Sequence, residues 1–278
     1  MLSKSIQATF KTASTLQMSS RRLFATDLSQ ITEKKKVHII GYPFAGGQGL
    51  QGPELSPGWL FRQDWLHSLE ENSGLSVEMV AVSNPKCNTA SDNDVIQGHK
   101  PGRKNYNNVV NSSLRLERST ERALRHGLFP LVFGGDHSQA IGSVTGLKKV
   151  YPEARLLWVD AHIDANTPSS SPSSNMHGMP VSTLAGMMPG YDRRPVLSLK
   201  HLIYFGIRSY EPEELRLIQK HRIPWYDSRV CHPDRIPEMK KEIDSYFFPD
   251  GQRHPYWISF DIDGVDKSEF ASTGTPEA

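Results

Sequence analysis

The chain has 278 residues, of which 37% are hydrophobic and 22% are charged, and its formal net charge is +2. This length is enough for one large domain, and the near-neutral charge gives no reason to expect a nucleic-acid partner. Two cysteines are too few for a disulfide framework, and no apolar run approaches the ~20 residues that span a bilayer, so we expect no membrane segment.

The first 26 residues have the composition of a mitochondrial transit peptide. They contain four basic residues and no Asp or Glu, and Leu2, Ile6 and Phe10 fall at helical spacing. Arg22-Leu23-Phe24 resembles a matrix-processing site. The alternative is a disordered basic tail. We therefore expect residues 1–26 to lie outside the domain and to direct the protein to the mitochondrial matrix.

Strands alternate with helices in the pattern from residue 37 onward. The alternation predicts a single α/β domain, residues 37–278, with a mainly parallel sheet and helices on both faces. The predicted strands are Val37–Gly41, Val77–Val82, Phe129–Phe133, Arg155–Val159, Leu202–Gly206, Ile223–Tyr226 and Tyr256–Phe260. The predicted helices are Trp59–Leu69, Val109–His126, Ser138–Val150, Glu211–His221 and Arg235–Phe247. The polar stretch from Asn84 to Tyr106 is interpreted as a surface loop.

A glycine-rich segment after the first strand matches the dinucleotide-binding pattern G-x-G-x-x-G. It runs from Gly47 to Gly52. A dinucleotide fingerprint needs the glycines in the strand-to-helix turn, but Gly47 follows the strand by several residues. Pro53 and Pro57 also prevent a helix from starting within the motif. We interpret the segment as a loop and reject a nicotinamide cofactor.

Three predicted strands end in potential metal ligands. Asp160, His162 and Asp164 follow a buried strand at alternate positions, and alternate side chains of an extended chain point the same way. The carboxyl ends of strands are where open α/β sheets place their sites. A polar turn with solvated acids is the alternative for this segment taken alone.

The other two strand ends repeat this arrangement. Two glycines allow a tight turn before Asp136, which can cap the next helix, but no local role explains His137. The last strand ends in Asp261 and Asp263, two neighbouring acids that repel each other unless a cation lies between them. An acidic turn is a credible alternative for Asp266.

Together the strand ends supply a set of six oxygen and nitrogen ligands. Two histidines and four carboxylates exceed what one zinc ion takes and suit two harder divalent ions, with manganese the natural candidate. Such a pair, ~3.5–4 Å apart, lowers the pKa of a bridging water towards ~7, which indicates hydrolysis of a poor electrophile. The candidate ligands are His137, Asp160, His162, Asp164, Asp261 and Asp263.

The three motifs resemble the signatures of the ureohydrolases, the arginase and agmatinase enzymes, which use two manganese ions. The motifs are Gly134-Gly135-Asp136-His137-Ser138, Asp160-Ala161-His162-x-Asp164 and Ser259-Phe260-Asp261-Ile262-Asp263. The resemblance runs from about Val37 to the last residue. It implies the ureohydrolase fold and, as the expected activity, hydrolysis of L-arginine to L-ornithine and urea, in an enzyme that commonly forms trimers.

A polar loop after the second motif resembles arginases in particular. The resemblance implies that Asn166, Ser173 and Asn175 bind the α-carboxylate of arginine, for which amides and hydroxyls are suitable donors. Agmatine has no carboxylate, so the loop favours arginase. A plain Ser/Asn/Pro loop is the alternative.

Two catalytic roles are also implied by the resemblance. Asp164 orients the attacking hydroxide, and His177 carries a proton to the leaving amine, work that suits an imidazole pKa near ~6.5. The alternative for His177 is a loop histidine packed by Met176 and Met179.

The sequence departs from the arginase pattern at the substrate's amino group and at its end. Where arginases carry an acid pair, this chain has Ser209 and Glu211. Glu211 is expected to hold the α-amino group, although a carboxylate at a helix start is the alternative. Thr275 matches a substrate-binding threonine. Relatives continue beyond Ala278 with helices and one strand that carries a guanidinium-binding glutamate, so we expect the last strand and helices to be missing and their neighbours to be uncovered.

These departures support two rival functions. Ser209 and Pro276-Glu277 look similar to an agmatinase or another guanidino-compound hydrolase with the same metals. The early end favours a truncated, non-catalytic metal-binding subunit that associates with full-length partners.

Overall fold

The computed structural model of the chain describes residues 36–64, 76–81, 93–94, 103–269 and 275. The segment predicted for mitochondrial targeting, residues 1–26, lies outside the described residues. So do Cys87 and Pro276-Glu277.

The described part of the chain contains two groups of parallel strands. The strands are β1 Val37–Gly41, β2 Ser76–Met79, β3 Asn93–Asp94, β4 Arg103–Lys104, β5 Phe129–Phe133, β6 Arg155–Val159, β7 Leu202–Ile207, β8 Trp225–Asp227 and β9 Tyr256–Phe260. The first group has the order β2-β1-β5 and the second has the order β8-β7-β6-β9, and every pair within them is parallel. A short antiparallel pair, β3-β4, lies in the stretch predicted to be a loop.

Helices occupy most of the connections between the parallel strands. Four of the five predicted helices are present with small shifts at their ends. The fifth, Trp59–Leu69, overlaps the helix Ser56–Leu60 at its start; Asp64 is again helical, and residues 65–75 lie outside the described part. The five-residue helix Pro180–Leu184, which starts at a proline, has no periodic signal in the sequence. The helices are α1 Ser56–Leu60, α2 Tyr106–Arg125, α3 Gln139–Val150, α4 Pro180–Leu184, α5 Pro212–His221 and α6 Ile236–Phe247.

Close contact between α2 and α3 depends on two glycines. A Cβ atom at Gly142 would lie 2.5 Å from the Ser113 carbonyl oxygen, and one at Gly146 would lie 2.6 Å from the Glu117 carbonyl oxygen. Since Cβ atoms do not approach backbone so closely, a side chain at either position would push the helices apart. The packed pair holds the turn before α3, which carries His137, against the sheet.

The main core lies between β6, β7 and the helices that cover them. Trp158, Leu156 and Tyr204 are fully buried there. A second cluster surrounds Ile40, at the end of β1, and packs on α2. Among the described helices, none combines the length and the apolar character needed to cross a lipid bilayer.

Two strands expose apolar side chains in the described part of the chain. Within the described part of the chain, β5 and β9 each pair with one strand, so one edge of each is open. Every second side chain on them is between 36% and 61% exposed. The exposed side chains are Phe129, Leu131, Phe133, Tyr256, Ile258 and Phe260. The carboxyl ends of β5 and β9 nevertheless meet, because His137 Nε2 lies 2.8 Å from Ser259 Oγ.

Candidate metal centre

The three predicted strand ends converge on one buried cluster of carboxylates and imidazoles. Within the described residues, two groups have ligand atoms within 4.8 Å of one another, and Asp160 belongs to both. The groups are His137, Asp160, Asp164 and Asp160, His162, Asp263. The sixth candidate, Asp261, has a carboxylate oxygen 3.2 Å from His137 Nδ1. The structure thus places all six candidate side chains in one cluster.

A hydrogen bond at one ring nitrogen of His137 orients the other ring nitrogen towards the carboxylates. Its Nε2 is engaged with Ser259 Oγ, and its ring stacks on Trp158 at 4.2 Å between centroids. The buried Nδ1 lies 2.9 Å from Asp160 and 3.0 Å from Asp164, yet no carboxylate aligns with it as a hydrogen bond. A buried polar atom without a partner is costly, and a cation among these oxygens would satisfy it.

The second group is held together by strong electrostatic interactions. His162 Nδ1 lies 3.2 Å from Asp263 Oδ2 and 3.5 Å from Asp160 Oδ1. Burial lowers the pKa of His162, but the two carboxylates outweigh it and raise the pKa to about 11. Burial likewise opposes ionisation of Asp263, yet the contact with His162 leaves its pKa well below the usual range. His162 and Asp263 would therefore supply an imidazole nitrogen and a carboxylate oxygen to a metal ion.

Asp164 shows the repulsion that the cluster contains. It is buried, and burial together with the charge of Asp160 raises its pKa to about 8. Its φ angle is +55°, a left-handed conformation that non-glycine residues rarely adopt and that often marks a functional position. Four carboxylates, two imidazoles and no sulfur form a donor set that fits hard divalent cations.

The chain from Asp160 to Asp164 does not follow the extended conformation that the alternate spacing of the ligands predicts. Strand β6 ends at Val159, so the segment from Asp160 to Asp164 is not a continuous strand. His162 forms a single bridge to Ser209, and Asp164 turns the chain through its left-handed conformation. The ligands converge through a turn fixed by β7, which the sequence alone did not indicate.

Two supporting residues were missed in the sequence. The Trp158 indole N–H donates to Asp160 Oδ2 at 2.9 Å, and a buried tryptophan needs such a partner. The Arg208 guanidinium donates to the carbonyl oxygens of Asp263 at 2.7 Å and Val265 at 3.2 Å, while its backbone N–H donates to the Ala161 carbonyl oxygen. Arg208 thus connects the two loops that carry the second group.

His177 lies beside the cluster in a half-buried position. Burial lowers its pKa, and the carboxylates of Asp136 and Asp261 counteract only part of that effect. Its backbone N–H donates to the Gly47 carbonyl oxygen at 2.9 Å. A neutral imidazole next to the ligands is suited to proton transfer.

The residues predicted to bind substrate are only partly brought together. Buried Asn166 donates through Nδ2 to Glu211 Oε2 at 2.7 Å, while Ser173 is exposed and accepts from the Asn175 N–H at 3.2 Å. Thr275 Oγ1 donates to Asp263 Oδ2 at 2.6 Å, so it contacts a candidate ligand directly.

Glu211 takes the helix-start role that the sequence offered as the alternative. It is the N-cap of α5 and forms a reciprocal capping box with Glu214. Its Oε2 also faces Asn166, so capping does not remove it from the site. The two interpretations are compatible.

Comparison with known proteins supplies the family context for this geometry. The sequence profile of the Arginase family matches residues 35–278. The chain is 34% identical over 252 residues to the hepatic arginase of Aquarana catesbeiana, covering 87% of this chain and 75% of that protein. It is 32% identical over 258 residues to Arginase-1 of Homo sapiens, covering 88% and 76%. A solved structure of Entamoeba histolytica arginase with L-ornithine superposes with a TM-score of 0.71 at 30% identity, covering 88% of this chain and 82% of that one.

Proposed function

The chain belongs to the arginase family of hydrolases, and we propose that it is an arginase that converts L-arginine to L-ornithine and urea with two manganese ions. The observation that carries the proposal is the pair of ligand groups sharing Asp160 at the carboxyl ends of the strands. A relative of this fold was solved with L-ornithine, the product that this reaction releases.

The residues present divide into ligands, proton carriers and substrate donors. His137, Asp160, His162, Asp261 and Asp263 would hold the ions, together with Asp164. Two such ions supply electrophilic activation and a nucleophilic hydroxide at neutral pH. Burial of the donors excludes bulk water and strengthens every charge interaction in the site.

Asp164 and His177 are assigned the proton-handling steps. The carboxylate of Asp164 lies among the ligands, where it accepts a hydrogen bond from the attacking water and orients it. His177, neutral because burial lowers its pKa, accepts a proton from solvent and passes it to the departing amine of ornithine. Donation of that proton returns the imidazole to its neutral form.

Recognition of an amino acid rests on the contact between Asn166 and Glu211. An amide and a carboxylate 2.7 Å apart present a donor and an acceptor side by side, which suits the carboxylate and ammonium of a zwitterion. Ser173 and Asn175, which the resemblance to arginases also implies as donors, would extend the donor side. Hydrolysis of agmatine or another guanidino compound is the second candidate, favoured by Ser209 in place of an acid.

Urea release from arginine and agmatine should distinguish the two candidates. We expect arginine to be preferred in kcat/KM by about 100-fold, because agmatine leaves the buried polar groups of the patch unpaired. Asn175→Ala should raise KM for arginine about tenfold, equal to about 1.4 kcal/mol, and leave agmatine kinetics unchanged. Agmatine serves as the internal control. A preference for agmatine in the wild type would move the assignment to the second candidate.

We also propose that residues 1–26 direct the chain to the mitochondrial matrix and that the enzyme forms trimers. The first proposal is supported by the basic, acid-free composition of that segment. Incubation with isolated mitochondria should shorten the chain to a start just after Phe24, as read by N-terminal sequencing. A chain in which Arg21 and Arg22 are replaced by Gln should remain outside and uncut. Import of that variant at the wild-type rate would exclude the assignment.

A further inference from the structure

The glycine-rich segment Ala45–Gly49, here called the glycine loop, has a role that no dinucleotide explains. The Gly47 N–H donates to Asp136 Oδ2 at 2.7 Å, and the Gly47 carbonyl oxygen accepts from the His177 N–H at 2.9 Å. One residue, Gly47, therefore connects the turn before α3 to the backbone of His177.

The glycine loop is held in place from two sides. A Cβ atom at Gly47 would lie 2.4 Å from Asp136 Oδ1 and 2.8 Å from Ser138 Oγ, so a larger residue requires either these side chains or the loop to shift. On the other side, Asn105 Nδ2 donates to the Gly46 carbonyl oxygen at 3.1 Å, and Asn105 is itself buried. The contacts with Asp136, Ser138 and Asn105 hold the glycine loop in a single position.

We propose that Gly47 is a positioning residue that places His177 for proton transfer. The hydrogen bond to Gly47 fixes the backbone from which the imidazole projects. A loop moved to accommodate a Cβ atom must either break that bond or carry His177 with it. Errors of about 1 Å in such a group lower turnover strongly. This inference rests on the proposed function for its kinetic readout, but the structural readout below does not.

The Gly47→Ala variant tests the proposal. We expect kcat for arginine to fall by about tenfold or more, with KM changed less than twofold, because substrate binding does not depend on the His177 imidazole. Manganese affinity should stay within about twofold of the wild type if the loop, and not the turn that carries His137, moves to accommodate the Cβ atom, so it is measured in parallel. Hydrogen exchange at the His177 amide should become faster, and this measurement needs no activity.

Asn105→Asp provides a second, gentler variant in case Gly47→Ala does not fold. Asn105 has a φ angle of +56°, which Asp tolerates as well as Asn, and the exchange replaces a donor to Gly46 by an acceptor. It should lower kcat and speed exchange at His177 in the same direction. Gly58→Ala is the matched control, because its Cβ would meet only Arg62 at 3.8 Å, and it should behave as wild type.

A double-mutant cycle separates positioning from general damage. In a His177→Ala background, Gly47→Ala should cause no further loss of kcat, because the group it positions is gone. An equal loss in both backgrounds, or unchanged exchange at His177 in both loop variants, would overturn the inference. A wild type that binds manganese but releases no urea would instead refute the proposed function and leave the exchange result to decide the inference.

Discussion

Replacing Asp160 by alanine should abolish metal binding and lower arginine turnover by more than about 1,000-fold, the scale seen when an essential group is removed. Asp160 is the residue common to both ligand groups, and it is almost fully buried. Its loss takes a donor from each ion at once. Manganese content per chain and urea release, measured on the same preparation, check this expectation.

A comparison of single variants shows whether two separate sites exist. Asp263 belongs to one group only, so Asp263→Ala should lose the ion of that group and the activity while keeping up to one ion per chain. Asp266→Ala is the matched control, because this exposed acid caps Ser268 and contacts no proposed ligand. Wild-type manganese content and turnover in Asp160→Ala would refute the ligand assignment.

The metal-free protein should respond to the loss of Asp164 in the opposite direction. Burial and neighbouring carboxylates raise the pKa of Asp160 and Asp164, so ionised acids destabilise the metal-free fold. Removing one of them relieves that repulsion. A chain that loses function while its metal-free stability is kept or improved is typical of a site whose charges are arranged for a ligand.

The parallel sheet was predictable because its strands are apolar runs bounded by polar turns. The predicted bounds of β5, β6 and β9 coincide with those observed. In β6, Leu156 and Trp158 are fully buried on one face, and Leu157 and Val159 are half-buried on the other, which leaves a near-continuous hydrophobic run in the sequence. Because the strands are parallel, the candidate ligands that follow them lie at the same edge of the sheet.

The features that could not be predicted depend on contacts between distant residues. Arg208 meets Asp263 across 55 positions of sequence, and no local pattern indicates that a guanidinium will find backbone carbonyls there. The left-handed Asp164 and the bridge from His162 to Ser209 exist only once β7 lies beside β6. Sequence periodicity reports local geometry and is silent on such contacts.

Trp158→Ala should be the most destabilising single substitution in the core, with a loss of about 3–5 kcal/mol in the free energy of unfolding. The side chain is fully buried in β6 and touches the core on one side and His137 on the other. Alanine leaves a cavity at the strand that carries the ligands. Urea denaturation of the metal-free protein measures this loss without contributions from bound ions.

Trp158→Phe divides the role of Trp158 into packing and hydrogen bonding. Phenylalanine keeps most of the apolar volume and the ring stacked on His137, but it cannot donate to Asp160 Oδ2. We expect a modest loss of stability together with a loss of about 10- to 100-fold in manganese affinity, the cost reported when a group orienting a ligand is removed. Trp225→Phe, in the outer strand β8, is the control for the same chemical change.

The manganese affinities of Trp158→Phe and Trp225→Phe together decide whether the indole N–H orients Asp160. If Trp158→Phe binds manganese as tightly as the wild type, the hydrogen bond to Asp160 does not orient the ligand, and Trp158 is only a core residue. If affinity falls while Trp225→Phe is unaffected, the buried strand supplies both the core and the orientation of the ligand that both groups share. Strand β6 would then both anchor the core and tune the metal centre, because the indole of Trp158, near the end of the strand, holds the carboxylate of Asp160, which follows it.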